Sequence, residues 1–248
     1  MATKDTLKHL FSHTVKGIIW KIILDDEHQI MVIESRTKEK EVYFYAYDFV
    51  NNQFLIKDKE FEEKWHLGLL SVSNSILYLH GFENEHSPTQ KQIIAFDLAN
   101  SKILWENYTH TAESTYQEGI VAFNSRVLPK KLELLNKKTG TLIKSILPEE
   151  LKTLQPIIND IKLPADHFEI DLWSSTQALD YKDLHLESIY QQKDNKIDHS
   201  ITIHQNGKLI FTDYLNQDIQ KLMQDTFFVW TGKLVYIRNK SEIVSYLL

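Results

Sequence analysis

The sequence predicts an all-β chain, a β-propeller of five four-stranded blades formed as a single domain over residues 1–248, on three observations. A strand–turn–strand grammar recurs at 47–55, 96–105 and 135–143: an apolar residue, Asp or Asn, a few turn formers, then an apolar run. Hairpin turns centred near 26, 74, 124, 176 and 231 keep a spacing of 48 to 55 residues along the whole chain. A second turn falls inside each unit, at Asp48, Asp97, Asn136, Asn206-Gly207 and Asn239. Two hairpins make four strands, and a unit of that kind cannot bury both faces alone, so it packs on its neighbours.

Taken in order, residues 6–15 admit two readings. They are a strand that completes the last blade, or a short helix with Leu7, Leu10 and Phe11 on one face. On the helical reading His9 and His13, four apart, would share a face as a metal pair or, with no third ligand, as a solvated one. Residues 17–24 and 29–34 flank the polar turn Asp25-Asp26-Glu27-His28, 69–72 and 76–79 flank Ser73-Asn74-Ser75, and 120–123 and 126–128 flank Asn124-Ser125. Tyr43, Tyr45 and Tyr47 alternate with Val42, Phe44 and Ala46, as a strand packed on both faces requires. Pro148 followed by Glu149 and Glu150 places a short helical insertion near 148–160, limited by Pro156 and Pro164. A weaker hairpin is read at 168–173 with a turn at 174–177, and a helical turn at 217–223. Asn206-Gly207 is the strongest turn signal, because a type I′ turn needs positive φ at both positions. Thr231-Gly232 joins the last full hairpin, and the shortness of the final unit makes 6–15 its candidate closing strand.

With 248 residues, 42 % of them hydrophobic and 25 % charged, the chain has the composition of a soluble folded protein. Its net charge of −6 and its lack of any basic cluster longer than a pair exclude nucleic acid as a natural partner. There is no cysteine, hence no disulfide, thiolate ligand or cysteine nucleophile. No apolar run reaches the length of a membrane span or signal peptide, so a cytoplasmic location without membrane association is expected.

The segment from Asp97 to Trp105 resembles the repeat of quinoprotein-dehydrogenase-type and WD-like propellers, in which Asp is followed by Thr-Gly and then Trp. Thr139-Gly140 supplies the pair without a Trp after it, and 47–56 keeps only Asp48. The resemblance implies the fold alone; it carries no quinone-binding residue over, and five units are fewer than such enzymes use. The whole chain is also similar to a family of uncharacterised Bacteroidetes proteins, which implies no activity.

On a propeller, the loops entering each innermost strand line one mouth of the channel. Those at 58–67, 107–118, 145–168 and 213–226 carry His66, Glu118, His167 and Asp225, which would converge there as a polar ring able to hold a ligand or a divalent ion such as zinc. Against this stands the plain fact that loops are polar. There is no Gly-x-Gly phosphate loop and no Gly-x-Ser-x-Gly nucleophile elbow, and no motif names a cofactor. The leading function is therefore a non-enzymatic propeller binding a protein or small molecule. The alternative is a small-molecule or metal-dependent enzyme, a lyase or hydrolase, using the polar ring.

Overall fold

Asp48, Asp97 and Asn136, which set the sequence repeat, each turn the chain in the same way. In the computed structural model, which describes residues 7–84, 87–167, 176–193, 196–219 and 227–248, Asp48 Oδ1 accepts the amides of Val50 and Asn51 at 2.8 and 3.0 Å. Asp97 Oδ1 takes those of Ala99 and Asn100 at 2.9 and 3.0 Å, and Asn136 Oδ1 those of Lys138 and Thr139 at 2.8 and 3.1 Å. A short side chain that gathers two amides substitutes for a backbone acceptor and fixes the turn. Each turn closes through a residue of positive φ: Asn52 at 51°, Ser101 at 51° and Gly140 at 69°.

After β1 (Lys8–Thr14) come β2 (Ile18–Asp25), β3 (Ile30–Arg36), β4 (Val42–Asp48) and β5 (Gln53–Lys59), hydrogen-bonded in that order. The next sheet runs β6 (Leu67–Ser73), β7 (Ile76–Asn84), β8 (Ser87–Asp97), β9 (Lys102–Asn107), and the third β10 (His110–Thr115), β11 (Ile120–Asn124), β12 (Leu132–Leu135), β13 (Leu142–Ile146). Beyond lie β14 (Ile161–Lys162), β15 (Ala165–His167), β16 (Thr176–Tyr181), β17 (Leu184–Lys193), β18 (Lys196–Gln205), β19 (Lys208–Ile219), β20 (Phe227–Trp230), β21 (Lys233–Arg238) and β22 (Glu242–Leu247). They complete sheets ordered β15-β16-β17-β18-β19 and β1-β22-β21-β20-β14. The fold class is all-β, with the five antiparallel sheets of four or five strands that the period requires. Two compact units divide them: Lys16–Asn159 with three sheets, and Met1–Val15 with Asp160–Leu248 with two.

Within the three-sheet unit, Val32, Phe44, Ala46 and Ile56 pack on Leu67, Leu69, Leu77 and Phe96 in one buried layer. Tyr78, Ile93 and Ala95 on the other face of the middle sheet pack on Ala112, Ile120 and Ala122. The third sheet's turn is keyed to the second. Trp105 Nε1 and the Tyr78 hydroxyl both donate to the Lys137 carbonyl, at 2.9 and 3.1 Å, and the Trp105 ring lies where a Cβ on Gly140 would come within 2.6 Å. The Trp of one repeat therefore docks on the Thr-Gly turn of the next.

In the two-sheet unit, β1 pairs antiparallel with β22 from Lys8↔Leu247 to Thr14↔Glu242, which makes Lys8–Thr14 the closing strand. His9 and His13 then lie about 13 Å apart along an extended chain rather than on one helical face. Leu186, Ile201, Ile203 and Phe211 pack on Phe227, Val229, Leu234 and Tyr236. Asp213 joins these two sheets by accepting from the Tyr236 hydroxyl and the Arg238 guanidinium.

Four expectations need correction. The segment 107–118 contains the strand β10, whose buried positions are the small Thr111 and Ala112, so no apolar alternation marks it. Residues 125–131 are therefore a connection, and 126–128 is not a strand. Thr176 and Gln177 pair with Ile189 and Ser188 in a ladder; the turn comes at Lys182, φ 57°, and 168–173 lies outside the described residues. The fourth is the helical turn read at 217–223: residues 217–219 extend β19, and 220–223 lie outside the described residues. The helical insertion is present as a single 3-10 segment, Pro148–Thr153, with Pro at its first position.

Gly140 and Gly207 both have positive φ, 69° and 76°, but no atom lies within 4 Å of a Cβ built on Gly207. Gly207→Ala should cost about 1 kcal/mol from backbone strain alone. Gly140→Ala adds the clash with Trp105 and should cost roughly 3 kcal/mol. Urea unfolding midpoints of the two variants check the difference.

Candidate functional site

The open edge of β6 faces β2 and β3, and it is satisfied by side chains rather than by a strand. Arg36 Nη1 donates to the Trp65 carbonyl at 3.1 Å and Nη2 to that of Leu67 at 2.7 Å. Lys21 Nζ donates to the Leu69 carbonyl, and the Leu69 amide donates to Glu34 Oε2, both at 2.8 Å. Glu34, 1 % exposed, also accepts Arg36 Nε at 2.7 Å. An unpaired strand edge exposes backbone donors and acceptors that are costly to bury. Here three charged side chains supply the partners.

Arg36 in turn orders two tryptophans. Its guanidinium lies 4.7 Å from the Trp65 ring centre and 5.6 Å from that of Trp20. Trp20 sits at a β-bulge, the extra residue where the β2–β3 register shifts between Ile19 and Lys21. The first strands of the other two sheets bulge at the equivalent place, at Leu70 and Glu113. Such bulges re-aim a side chain, and Trp20 is left 64 % exposed. Ile18, Trp20, Trp65, Arg36, Lys38 and Gly17 line an open cleft of about 540 Å³. Gly17, φ 74°, lets the backbone pass the Arg36 carbonyl, which a Cβ would meet at 2.2 Å.

The residues expected to form the polar ring fall as follows. His66 immediately precedes β6, its amide and that of Trp65 donate to Glu63 Oε1 at 3.0 Å each, and its Nδ1 lies 3.3 Å from the same oxygen. Burial works to raise the Glu63 carboxyl pKa, and the His66 and Trp65 amides, with the His66 ring, outweigh it and hold it low. Glu118 follows β10, where both its oxygens accept the Gln155 amide at 3.1 Å. Ser71 and Thr115, 3.0 Å apart through their hydroxyls, bring matching ends of β6 and β10 together. His66 lies five residues before Ser71, and Glu118 three residues after Thr115. His167 ends β15 opposite Thr176, with its side chain outside the described set, and Asp225 lies outside the described residues. Among the described residues no three His, Asp or Glu side chains are grouped closely enough to hold a metal ion.

Two hydroxyl–imidazole sets have the composition of catalytic groups. Ser188 Oγ lies 2.6 Å from His199 Nε2, His199 Nδ1 lies 3.5 Å from Asn216 Nδ2, and Tyr190 stacks on the imidazole at 4.0 Å. Ser188 and His199 are completely buried, so no substrate reaches them. Burial pushes the His199 pKa down to about 4. Thr109 Oγ1 lies 2.9 Å from His110 Nδ1, and His110 Nε2 2.7 Å from Glu133. Asn107 Oδ1 collects the Thr109 amide, the Thr109 hydroxyl and the His110 amide, each at 3.0 Å. That hydroxyl is committed to a turn and is not poised for attack. Sequence reasoning missed the Trp20 cleft; only the pairing register reveals the bulge that turns this tryptophan outward.

These features define an all-β protein of propeller-type sheets with an open aromatic cleft and no exposed catalytic constellation among the described residues. A family model described as "Domain of unknown function (DUF4905)" matches residues 24–105, about a third of the chain, a stretch that includes Glu34, Arg36 and Trp65. No curated protein matches the chain. Among solved structures, the crystal structure of BamB from Moraxella catarrhalis aligns with a TM-score of 0.36 and 9 % identity over 98 % of this chain and 100 % of that one. No helix among the described residues is long and apolar enough to cross a membrane.

Glu34→Gln leaves the Arg36 charge without its partner and should lower unfolding free energy by roughly 3 kcal/mol. Glu63→Gln, at an exposed pair, should cost under about 1 kcal/mol. Denaturant titration of both variants checks this. His80 is also held near a pKa of about 4, by burial and then by the Lys21 and Arg36 charges. Between the ordinary histidine pKa of 6.5 and about 4, the unfolded chain binds protons that folded His80 and His199 do not. Stability should therefore fall as pH drops through that window, by up to about 3 kcal/mol per ring. His199→Gln should flatten the slope measured by unfolding at pH 7, 5.5 and 4.5.

Proposed function

We propose that residues 1–248 act as a non-catalytic module that binds a protein partner, with the cleft of Ile18, Trp20 and Trp65 as its contact. One observation carries this: Trp20 leaves 64 % of its surface in water although Arg36 already orients its ring. A large aromatic side chain held in place and unburied is the kind of residue whose burial dominates an interface, because little ordering cost remains. The Arg36 guanidinium, engaged by Glu34 and two carbonyls, serves as a rigid backing rather than an anion receptor. Ile18, Trp20 and Trp65 present apolar surface to the cleft, with Arg36, Thr37, Lys38 and Glu39 around them, which supports recognition of an apolar side chain.

A benzophenone amino acid placed at Ile18, in the cells the protein comes from, should give an adduct of one discrete mass on irradiation. The same group at Leu163, also exposed, should give none. Adding Trp65→Ala should abolish the Ile18 adduct. No adduct at Ile18, or equal adducts at both positions, would sink the proposal. The polar ring of His66, Glu118, His167 and Asp225 is the rival contact. If His167→Ala with Asp225→Ala removes the adduct while Trp65→Ala spares it, the contact moves there.

A further inference from the structure

We infer that the groove beside the Trp20 cleft receives a basic, extended peptide segment of the partner, an inference that rests on the binding function proposed above and names the partner's chemistry. The connection between β5 and β6 contributes to both surfaces. Trp65 lines the cleft, while Phe61, Glu62 and Glu63 line a second groove of about 410 Å³. Its floor is Phe61, Leu67 and Ile94, and its walls include Ile103 and Tyr108, 46 % and 63 % exposed.

The rim carries Glu62, Glu63 and Glu106, and no basic side chain lines the groove. Three other surface acids of this unit have a cation nearby: Lys64 lies 3.3 Å from Glu60, Lys130 2.6 Å from Glu113 and Lys144 2.8 Å from Glu150. Glu62 and Glu106 form no ion pair among the described residues. Of the lysines in the same stretch, Lys64 is taken by Glu60, while the Lys59 ammonium lies over the Phe61 ring that floors the groove and over the Phe96 ring, at 5.3 and 5.4 Å, and pairs with neither Glu62 nor Glu106. Glu62 and Glu106 act at one end of the groove. A hydrogen bond to Glu106, then burial and the Glu106 and Glu62 charges, raise the pKa of the Tyr108 phenol.

An apolar trough with an uncompensated acidic rim selects a chain that offers both complements. A lysine or arginine places its alkyl stem along Ile103 and Tyr108 and its charge at Glu62 and Glu106. The alternate side chains of an extended segment then reach Phe61, which lies over the buried Leu67 and Ile94. A free polyamine would satisfy the rim and leave the trough wet.

The test uses the full chain and a fluorescein-labelled octapeptide of alternating lysine and leucine, followed by fluorescence anisotropy at about 50 mM salt. Saturable binding is expected, weakened roughly tenfold in Glu62→Gln/Glu106→Gln and weakened again as salt rises. Ile103→Ser should weaken it independently. All these sites are on the surface, and thermal melts establish that the variants fold. Trp20→Ala should bind the probe as wild type does, so failure of the groove and failure of the cleft are separable. Equal affinity in the double Gln variant, equal binding of a glutamate–leucine octapeptide, or displacement by stoichiometric spermidine would each overturn the inference. So would a dimer in sedimentation that the double Gln variant dissolves, since the groove would then be covered by a second copy of this chain.

Discussion

The edge of β6 is the constraint on which the three-sheet unit depends. Each sheet starts with a strand that pairs on one side only, so its outward amides and carbonyls need partners before the neighbouring sheet can pack against it. Glu34, Arg36 and Lys21 provide them for β6 at Trp65, Leu67 and Leu69. A buried ion pair gives little net stability by itself, because desolvation offsets its Coulomb attraction. Here the pair is retained because its spare donors and acceptors match a strand edge, which no apolar pair would do. The two-sheet unit uses a related device where Asp213 on β19 meets Tyr236 and Arg238 on β21, and Arg238 Nε donates to the Tyr214 carbonyl.

The repeat works by a second, complementary lock. Each Asp or Asn turn holds a hairpin tip, and Phe49 and Leu98, the residues after Asp48 and Asp97, donate amides to Gln29 and Ser75 in the first hairpin of the same sheet. The two hairpins of a blade are thus pinned tip to tip. Where Trp105 meets Gly140 and the Lys137 carbonyl, one blade's outer strand also grips the next blade's turn.

These locks explain what the sequence makes legible. Turns are written in local chemistry: Asp48, Asp97, Asn136 and Asn206-Gly207 act within three or four residues, so they could be read directly. The closing strand 8–14 could be named but not chosen over a helix, because its partner β22 lies over 200 residues away. Strand β10 was unreadable for a different reason. Its buried Thr111 and Ala112 serve packing through smallness rather than hydrophobicity, and without it Glu118 reads as the beginning of a strand rather than as following the end of one. The candidate site was the least legible part. His66 and Glu118 are identifiable as polar loop residues, yet their partners, the Glu63 carboxylate and the Gln155 amide, are not legible in the sequence.

The same register logic accounts for the Trp20 cleft. Had β2 paired with β3 without its bulge, position 20 would continue the strict alternation between the two faces of the sheet. One extra residue between Ile19 and Lys21 instead lets two consecutive side chains do different work: Lys21 reaches back to the Leu69 carbonyl while Trp20 faces out over Arg36. The bulge therefore serves the edge lock and the exposed aromatic at once. A cleft built this way is stiff, because moving Trp20 disturbs Arg36, and moving Arg36 uncaps β6. Stiffness favours binding through preorganisation, because little ordering cost remains when a partner arrives.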